Sequence, residues 1–195
     1  CLVGSEMCIR DRAHGLSFRA IRNAAPEALI GIASTGKLCY PHSPADEDAA
    51  RQETFRLTDA DWMFTHPIVL DAVCLGRVKP EAGALRGLLS AVTPAEWDTM
   101  HAVPDFIGVN SYNGSEIAAG PDGAPVYLPR PQGFARTALK WPITPEIMEH
   151  GYAFLFDRYR LPLYVTECGL SCNDHIYLDG TCLLYTSPSP RDMRR

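Results

Sequence analysis

No apolar run in this chain of 195 residues is long enough to cross a bilayer as a helix, so no membrane partner is expected. A dinucleotide fingerprint is missing as well. After the apolar run Ala28–Ala33 comes Ser34-Thr35-Gly36-Lys37, which completes neither Gly-x-Gly-x-x-Gly nor a P-loop; Gly36-Lys37 is only half of a P-loop ending. That sets aside the generic nucleotide-binding α/β reading. Internal repeats are absent, and low complexity is confined to the C-terminal tail. Cysteine is present without a pairing pattern: Cys39, Cys74, Cys168 and Cys172 form no disulfide framework, which predicts reduced thiols and a cytoplasmic location. A surplus of basic residues is lacking too. The formal net charge is −5, which disfavours nucleic acid as a partner.

The two ends stand apart from the rest. Leu2 to Asp11 can be back-translated into a DNA string whose reverse complement, with one added base, encodes Cys182 to Arg191. A folded domain has no reason to contain two segments related by DNA complementarity, and they read as a translated sequencing adapter, inverted at each end. Residues 1–12 and 182–195 are therefore excluded as adapter-like, leaving a body over 13–181.

Within that body, helix and strand signals alternate. Leu16–Ala28 reads as a helix and Ala28–Ala33 as a short buried strand. Asp46–Leu57 has an acidic start suited to a helix dipole, and the run Asp46-Glu47-Asp48 is expected to be solvated. Thr93-Pro94-Ala95-Glu96 is a helix start with a cap, a first-turn proline and a Glu three residues on; this helix is expected to reach about Ala102. Asp105–Tyr112 reads as a second buried strand, and the Gly/Pro-rich stretch Gly114–Lys140 as a long surface loop. A helix from Thr144 to about Arg160 and a strand Leu161–Thr166, entered at Pro162, complete the pattern. Strand, helix, strand, helix, strand is the grammar of a parallel sheet. Polar residues gather where the strands end, with Asn110 and Tyr112 after the second and Glu167 after the third. That placement favours a (β/α)₈ barrel over an open sheet.

Four segments resemble glycoside hydrolase family 1, in order and at matching spacing. Val165-Thr166-Glu167-Cys168-Gly169-Leu170 is similar to the family's (I/V)-T-E-N-G-L motif, and Asp105–Tyr112 (DFIGVNSY) to its D-F-x-G-x-N-x-Y strand. Ala138–Glu146 (ALKWPITPE) resembles the W-x-x-x-P-E-G segment, and Ala13-His14-Gly15 the start of the helix after the acid/base strand. The resemblance implies an α/β fold, a partial (β/α)₈ TIM barrel supplying strands five to seven. It further implies a retaining β-glucosidase that works through a covalent glycosyl-enzyme. Glu167 would be the nucleophile, Tyr112 would donate its phenolic hydrogen to it, Asn110 would join the polar cluster, and Trp141 would stack the aglycone. The implied partner is a β-glucoside or related small carbohydrate, with no cofactor and no metal. The alternatives are a 6-phospho-β-glucosidase of the same family and a sugar-binding relative that has lost catalysis.

Each of these residues also has a plainer reading. Glu167 could be a loop carboxylate, Tyr112 a core tyrosine, and Trp141 a residue packing its loop. His14 is expected to pack at the active-site rim or in the core. Glu116 is the competing carboxylate, placed by the sequence in a loop that would aim it poorly. Cys168, Cys172 and His175 have zinc-like spacing but no paired fourth ligand. Two departures from the family pattern stand out. Cys168 occupies the usual Asn position, and a thiol is a weak donor. The Asn-Glu-Pro motif that bears the general acid/base is absent from residues 1–30, and no strand-eight segment follows. The chain by itself is therefore expected to be inactive and aggregation-prone, with its assembly state left open.

Overall fold

The computed structural model describes residues 2–171 except Ala82, with side chains from Ile9 onward. Its first element, α1 (Leu2–Ala24), begins well before the expected Leu16 and crosses the Arg12/Ala13 boundary without a break. It stops four residues short of Ala28 because Pro26, two positions on, cannot continue the hydrogen-bond ladder. Then follow β1 (Gly31–Thr35), β2 (Cys39–Pro41), α2 (Glu47–Thr54), α3 (Pro67–Leu75), α4 (Ala84–Ser90) and α5 (Pro94–Met100). The chain continues with β3 (Phe106–Ser111), β4 (Ser115–Ala119), β5 (Pro125–Tyr127), α6 (His150–Tyr159) and β6 (Leu163–Cys168).

The three expected strands are β1, β3 and β6, with ends shifted by one to three residues from the sequence reading. They form one parallel sheet in the order β1-β3-β6. β3 is the central strand, and its alternation decides the architecture. Ile107 and Val109 are fully buried with Leu70 and Val73 of α3 and Leu155 and Tyr159 of α6. Burying each such aliphatic side chain contributes roughly 1.5–3 kcal/mol. Gly108 and Asn110 therefore face the other side of the sheet, away from the helices.

The helices start and stop for local reasons. At α5, Thr93 and Glu96 form the expected capping box, and the helix ends at Met100. α3 was not foreseen. It opens at Pro67, ends at Gly76 in the left-handed conformation (φ 71°), and is buried on nearly every side, so it carries no amphipathic stripe. Where one helix to Arg160 was expected, a 3₁₀ turn (Pro145–Met148) precedes α6. Arg160 closes α6 at φ 56°, and Pro162 turns the chain into β6.

The stretch Gly114–Lys140 is not a plain loop. β4 and β5 form a hairpin within it, and β2 pairs with β4 to make a second small sheet, order β2-β4-β5. Ile117 of β4 packs with Cys39, Ala49, Ala50 and Phe154, and this anchors the hairpin. Asp46 is a second correction, because it is buried where solvation was expected. Its Oδ1 accepts from Ala119 N at 2.7 Å, and its Oδ2 from Ser43 N and Ser43 Oγ at 3.0 and 2.6 Å. These bonds hold its carboxyl below the usual range and pin α2 to the small sheet.

At the N-terminal end of the main sheet, Arg22 and Asp105 tie α1 to both strands. Arg22 Nη2 donates to Asp105 Oδ2 at 2.6 Å, and the same oxygen accepts from Ile30 N at 2.7 Å. The starts of β1 and β3 are thus clamped together, which fixes how far each strand projects at its other end.

Candidate active site

The carboxyl ends of β3 and β6 carry the polar cluster. Pairing runs regularly from Ile107↔Leu163 to Val109↔Val165, then shifts, so that Asn110 pairs with Glu167 and Ser111 with Cys168. Thr166 is the extra residue. A bulge lets consecutive side chains reach one side of a sheet, which regular alternation forbids. Thr166 Oγ1 donates to Asn110 Oδ1 at 2.6 Å, and the Tyr112 hydroxyl donates to Glu167 Oε2. Asn110 and Tyr112, two residues apart, thus engage two successive residues of β6. The hydrogen bond to Glu167 raises the Tyr112 phenol above its ordinary value, because an accepting carboxylate favours the protonated form.

Trp141 stands beside this cluster, its ring centroid 5.7 Å from that of Tyr112 at an interplanar angle of 56°. A tight turn presents it. Lys140 adopts φ 63°, Thr137 N donates to Trp141 O at 2.8 Å, and Trp141 N to Thr137 Oγ1 at 3.2 Å. Ser171, just beyond β6, holds that turn from outside. Its carbonyl accepts from Ala138 N at 2.9 Å and its hydroxyl oxygen from Leu139 N at 2.8 Å.

A cleft of about 460 Å³ opens from Asn110, Tyr112 and Trp141 toward Lys37, Asp61 and Phe64. That is within the roughly 300–1,000 Å³ of small-molecule sites. Lys37 Nζ donates to Glu53 Oε1 and Asp61 Oδ2, both at 2.6 Å, and Tyr127 donates to Glu53 Oε1 at 2.6 Å. Burial alone would pull the Lys37 ammonium down, but its hydrogen bonds to Asp61 and Glu53 outweigh that and hold it well above its usual value. The sequence gives no signal for this group, since its members are scattered over β5, α2 and two loops. A smaller apolar cavity of about 190 Å³ lies behind the cluster, between Cys168 and Met148.

The other candidates lie elsewhere. His14 Nε2 sits 3.2 Å from Ala102 O, ahead of β3, and burial lowers its pKa. Glu116 is on β4 instead of a loop and pairs with His42 Nδ1 at 2.8 Å. Gly31 precedes Gly36-Lys37 at P-loop spacing, but residues 31–35 are a strand paired to β3, which leaves no phosphate-cradling loop. Cys168 is exposed with a free thiol, while Cys172 and His175 lie outside the described residues. Among the described residues no three His, Cys, Asp or Glu are grouped as a metal site. The sequence reading also passed over His66, which is buried with Nδ1 3.0 Å from Ser34 Oγ and with no partner for Nε2 among the described residues.

An exposed carboxylate bonded by a tyrosine thus stands at the strand ends of a parallel α/β sheet beside an aromatic-walled cleft, the place where such folds carry their sites. The sequence model described as Glycosyl hydrolase family 1 matches residues 7–182, and the chain belongs to that family. A 6-phospho-β-glucosidase of Dickeya chrysanthemi is 23% identical over 175 residues, covering 86% of this chain and 37% of the relative. A phospho-cellobiase of Klebsiella oxytoca is 26% identical over 181 residues, covering 87% and 37%. Among solved structures, the β-glucosidase of Thermotoga maritima in complex with cyclophellitol superposes with a TM-score of 0.68 at 22% identity, covering 90% of this chain and 38% of that one. The fold is accordingly part of a family TIM barrel, and the chain spans little more than a third of the length of the relatives it matches.

Proposed function

We propose that these residues are the nucleophile half of a retaining β-glycosidase active site. The Tyr112–Glu167 hydrogen bond at the bulged end of β6 carries the reading. In the first step a Glu167 carboxylate oxygen bonds the anomeric carbon while that carbon's bond to the leaving oxygen breaks. The leaving oxygen takes a proton from a general acid, and water later releases the sugar. Tyr112 and the Thr166–Asn110 pair restrict where the carboxylate points, and Trp141 offers a flat face to the aglycone. The general acid belongs to an Asn-Glu-Pro strand that this sequence lacks, so turnover of ordinary glycosides by the chain alone falls about 10²–10⁴-fold short on that account. The free thiols Cys39, Cys74 and Cys168 fit a reducing, cytoplasmic setting.

A dinitrophenolate leaving group departs without an acid, and this permits a direct test. Incubation with a 2-deoxy-2-fluoro-β-glucoside bearing it should give one covalent sugar per chain, mapped to Glu167 by peptide mass and absent from Glu167→Gln. A label on another residue, or none, overturns the assignment. Running the 6-phosphorylated analogue in parallel tells which glycone is accepted; the curated relatives are named for phosphorylated substrates. We also propose that residues 1–12 and 182–195 are adapter-derived. Source DNA read outward across Arg12/Ala13 and Thr181/Cys182 should continue into an Asn-Glu-Pro strand upstream. Adapter-like ends persisting as genomic sequence would refute this.

A further inference from the structure

The link between β3 and β4 carries a reactive pair that the proposed hydrolysis does not use. Of Asn23, Asn110, Asn113 and Asn173, only Asn113 is followed by glycine. In such a pair no side chain shields the next amide nitrogen, which can attack the asparagine carboxamide once the backbone is free to turn. Asn113 is half-buried and Gly114 behind it is buried. The attacking group is tied down at both ends. Gly114 N donates to Thr144 Oγ1 at 2.8 Å, and Gly114 O accepts from Arg130 Nη2 at 2.5 Å. Ser115 N donates to Leu38 O at 3.1 Å, which fixes the following peptide. Packing takes up the remaining space, since a β-carbon on Gly114 would run into Ile147 Cγ2 and Leu38 O. Thr144 is itself buried, at the start of the 3₁₀ turn that leads into α6, so no bulk solvent competes for its hydroxyl.

We propose that Asn113–Gly114 is a self-modification site, kept latent in the closed fold by the Thr144 hydroxyl. When that contact opens, hydroxide removes the Gly114 N–H proton and the nitrogen bonds to the Asn113 side-chain carbonyl carbon. The bond from that carbon to Nδ2 breaks, and ammonia leaves with a proton taken from water, closing a five-membered succinimide. Water then adds to one of the two ring carbonyls and opens it to an aspartate or an isoaspartate at position 113. The sum consumes one water and releases one ammonia, with no oxidant or reductant. While bonded to Thr144, the nitrogen keeps its proton and the peptide keeps its direction, and both must change before the ring can close. The opening is local, because Gly114 and Thr144 lie in connections between elements, whereas β3 is held by the core through Ile107 and Val109. Each conversion places a new negative charge beside Tyr112, and the isoaspartyl form lengthens the main chain by one carbon there.

The experiment ages the full chain in mildly alkaline buffer, folded and in unfolding urea, and follows amide-to-acid conversion at each asparagine by peptide mass spectrometry. Position 113 should convert fastest in urea and at least about tenfold more slowly in the folded chain, as the loss of a buried hydrogen bond on opening implies. Thr144→Val, which keeps the shape but not the acceptor, should speed the folded chain at least about fivefold, whereas Thr144→Ser should stay within about twofold. Tyr159→Phe, a distant change of similar cost, should also stay within about twofold, which separates local opening from global unfolding. Equal rates in folded and unfolded chains overturn the proposal, as does a folded Thr144→Val that ages no faster or a Tyr159→Phe that ages as fast as it. Should Thr144→Val fail to fold, hydrogen exchange at the Gly114 amide of the unsubstituted chain in sub-denaturing urea decides. Conversion and exchange must rise together, and conversion while that amide stays protected refutes the latch.

Discussion

Gly108 and Thr166 face each other across the β3–β6 pair so closely that a β-carbon on Gly108 would fall 2.7 Å from Thr166 Cγ2 and 3.0 Å from its Oγ1. Thr166 is β-branched and already bonded to Asn110, so it has little freedom to retreat. Gly108→Ala should destabilise the fold by about 1–3 kcal/mol, as overpacking generally does. Thr166→Ser removes the crowding methyl and should recover most of that loss when combined with it. Urea unfolding of the two single variants and the double variant checks this, and strict additivity would exclude the contact as the cause.

Tyr112 should report directly on Glu167. Its phenol is raised by the hydrogen bond to the carboxylate, with desolvation and the carboxylate charge adding to the effect. Glu167→Gln removes the charge and should bring Tyr112 back toward its ordinary range. A difference titration of tyrosinate absorbance between the two proteins should show one group ionising at lower pH in the variant. Superimposable curves would mean that the pair does not form in solution.

Stability should also depend on His66. Burial pushes its pKa down from 6.5 to about 4, so the folded protein keeps it neutral where the unfolded chain would protonate it. The unfolded state therefore binds the extra proton as pH falls through 6.5, and stability drops until about pH 4, where the folded form protonates too. Converted at 1.36 kcal/mol per unit, the loss is about 3 kcal/mol. His66→Gln should lose less stability than the unmodified protein between pH 7.5 and 4.5. Equal losses would place the sensitivity elsewhere.

Asp71 should matter more than its distance from the cleft suggests. Its buried carboxylate accepts from Arg158 Nε at 2.9 Å, from Arg158 Nη2 at 2.5 Å and from the Tyr159 hydroxyl at 2.8 Å, which links α3 to α6. Asp71→Ala strands a buried hydroxyl and a half-buried guanidinium and should cost about 3 kcal/mol, the lower end for breaking a buried pair. Tyr159→Phe loses one bond and should cost about 1 kcal/mol. Thermal unfolding of both variants tests that order.

The sequence was most legible where a pattern is long or a cap is explicit. Three apolar strands at βα spacing led to the parallel sheet, and Thr93-Pro94-Ala95-Glu96 to the start of α5. Elements with no periodic signal escaped. α3 is buried nearly all round, and β2 and β5 are three residues each, too short for alternation to register. Glycine and proline between Gly114 and Lys140 masked the hairpin, although Ile117 inside it is wholly buried. At the site, Glu167, Tyr112, Asn110 and Trp141 could be named from motif resemblance. The bulge at Thr166 and the Lys37–Asp61 pair could not, because each exists only once separate segments are brought together.

The grip of Ser171 on the turn before Trp141 has an implication for swapping parts between relatives. The tryptophan is aimed by a residue just past β6, more than two dozen positions further along the chain, through Ala138 N and Leu139 N. Transplanting the turn alone would carry the ring into a new host without its aim. A graft that preserves the ring's orientation must therefore take both segments, the turn and the residues just past β6, as a matched pair.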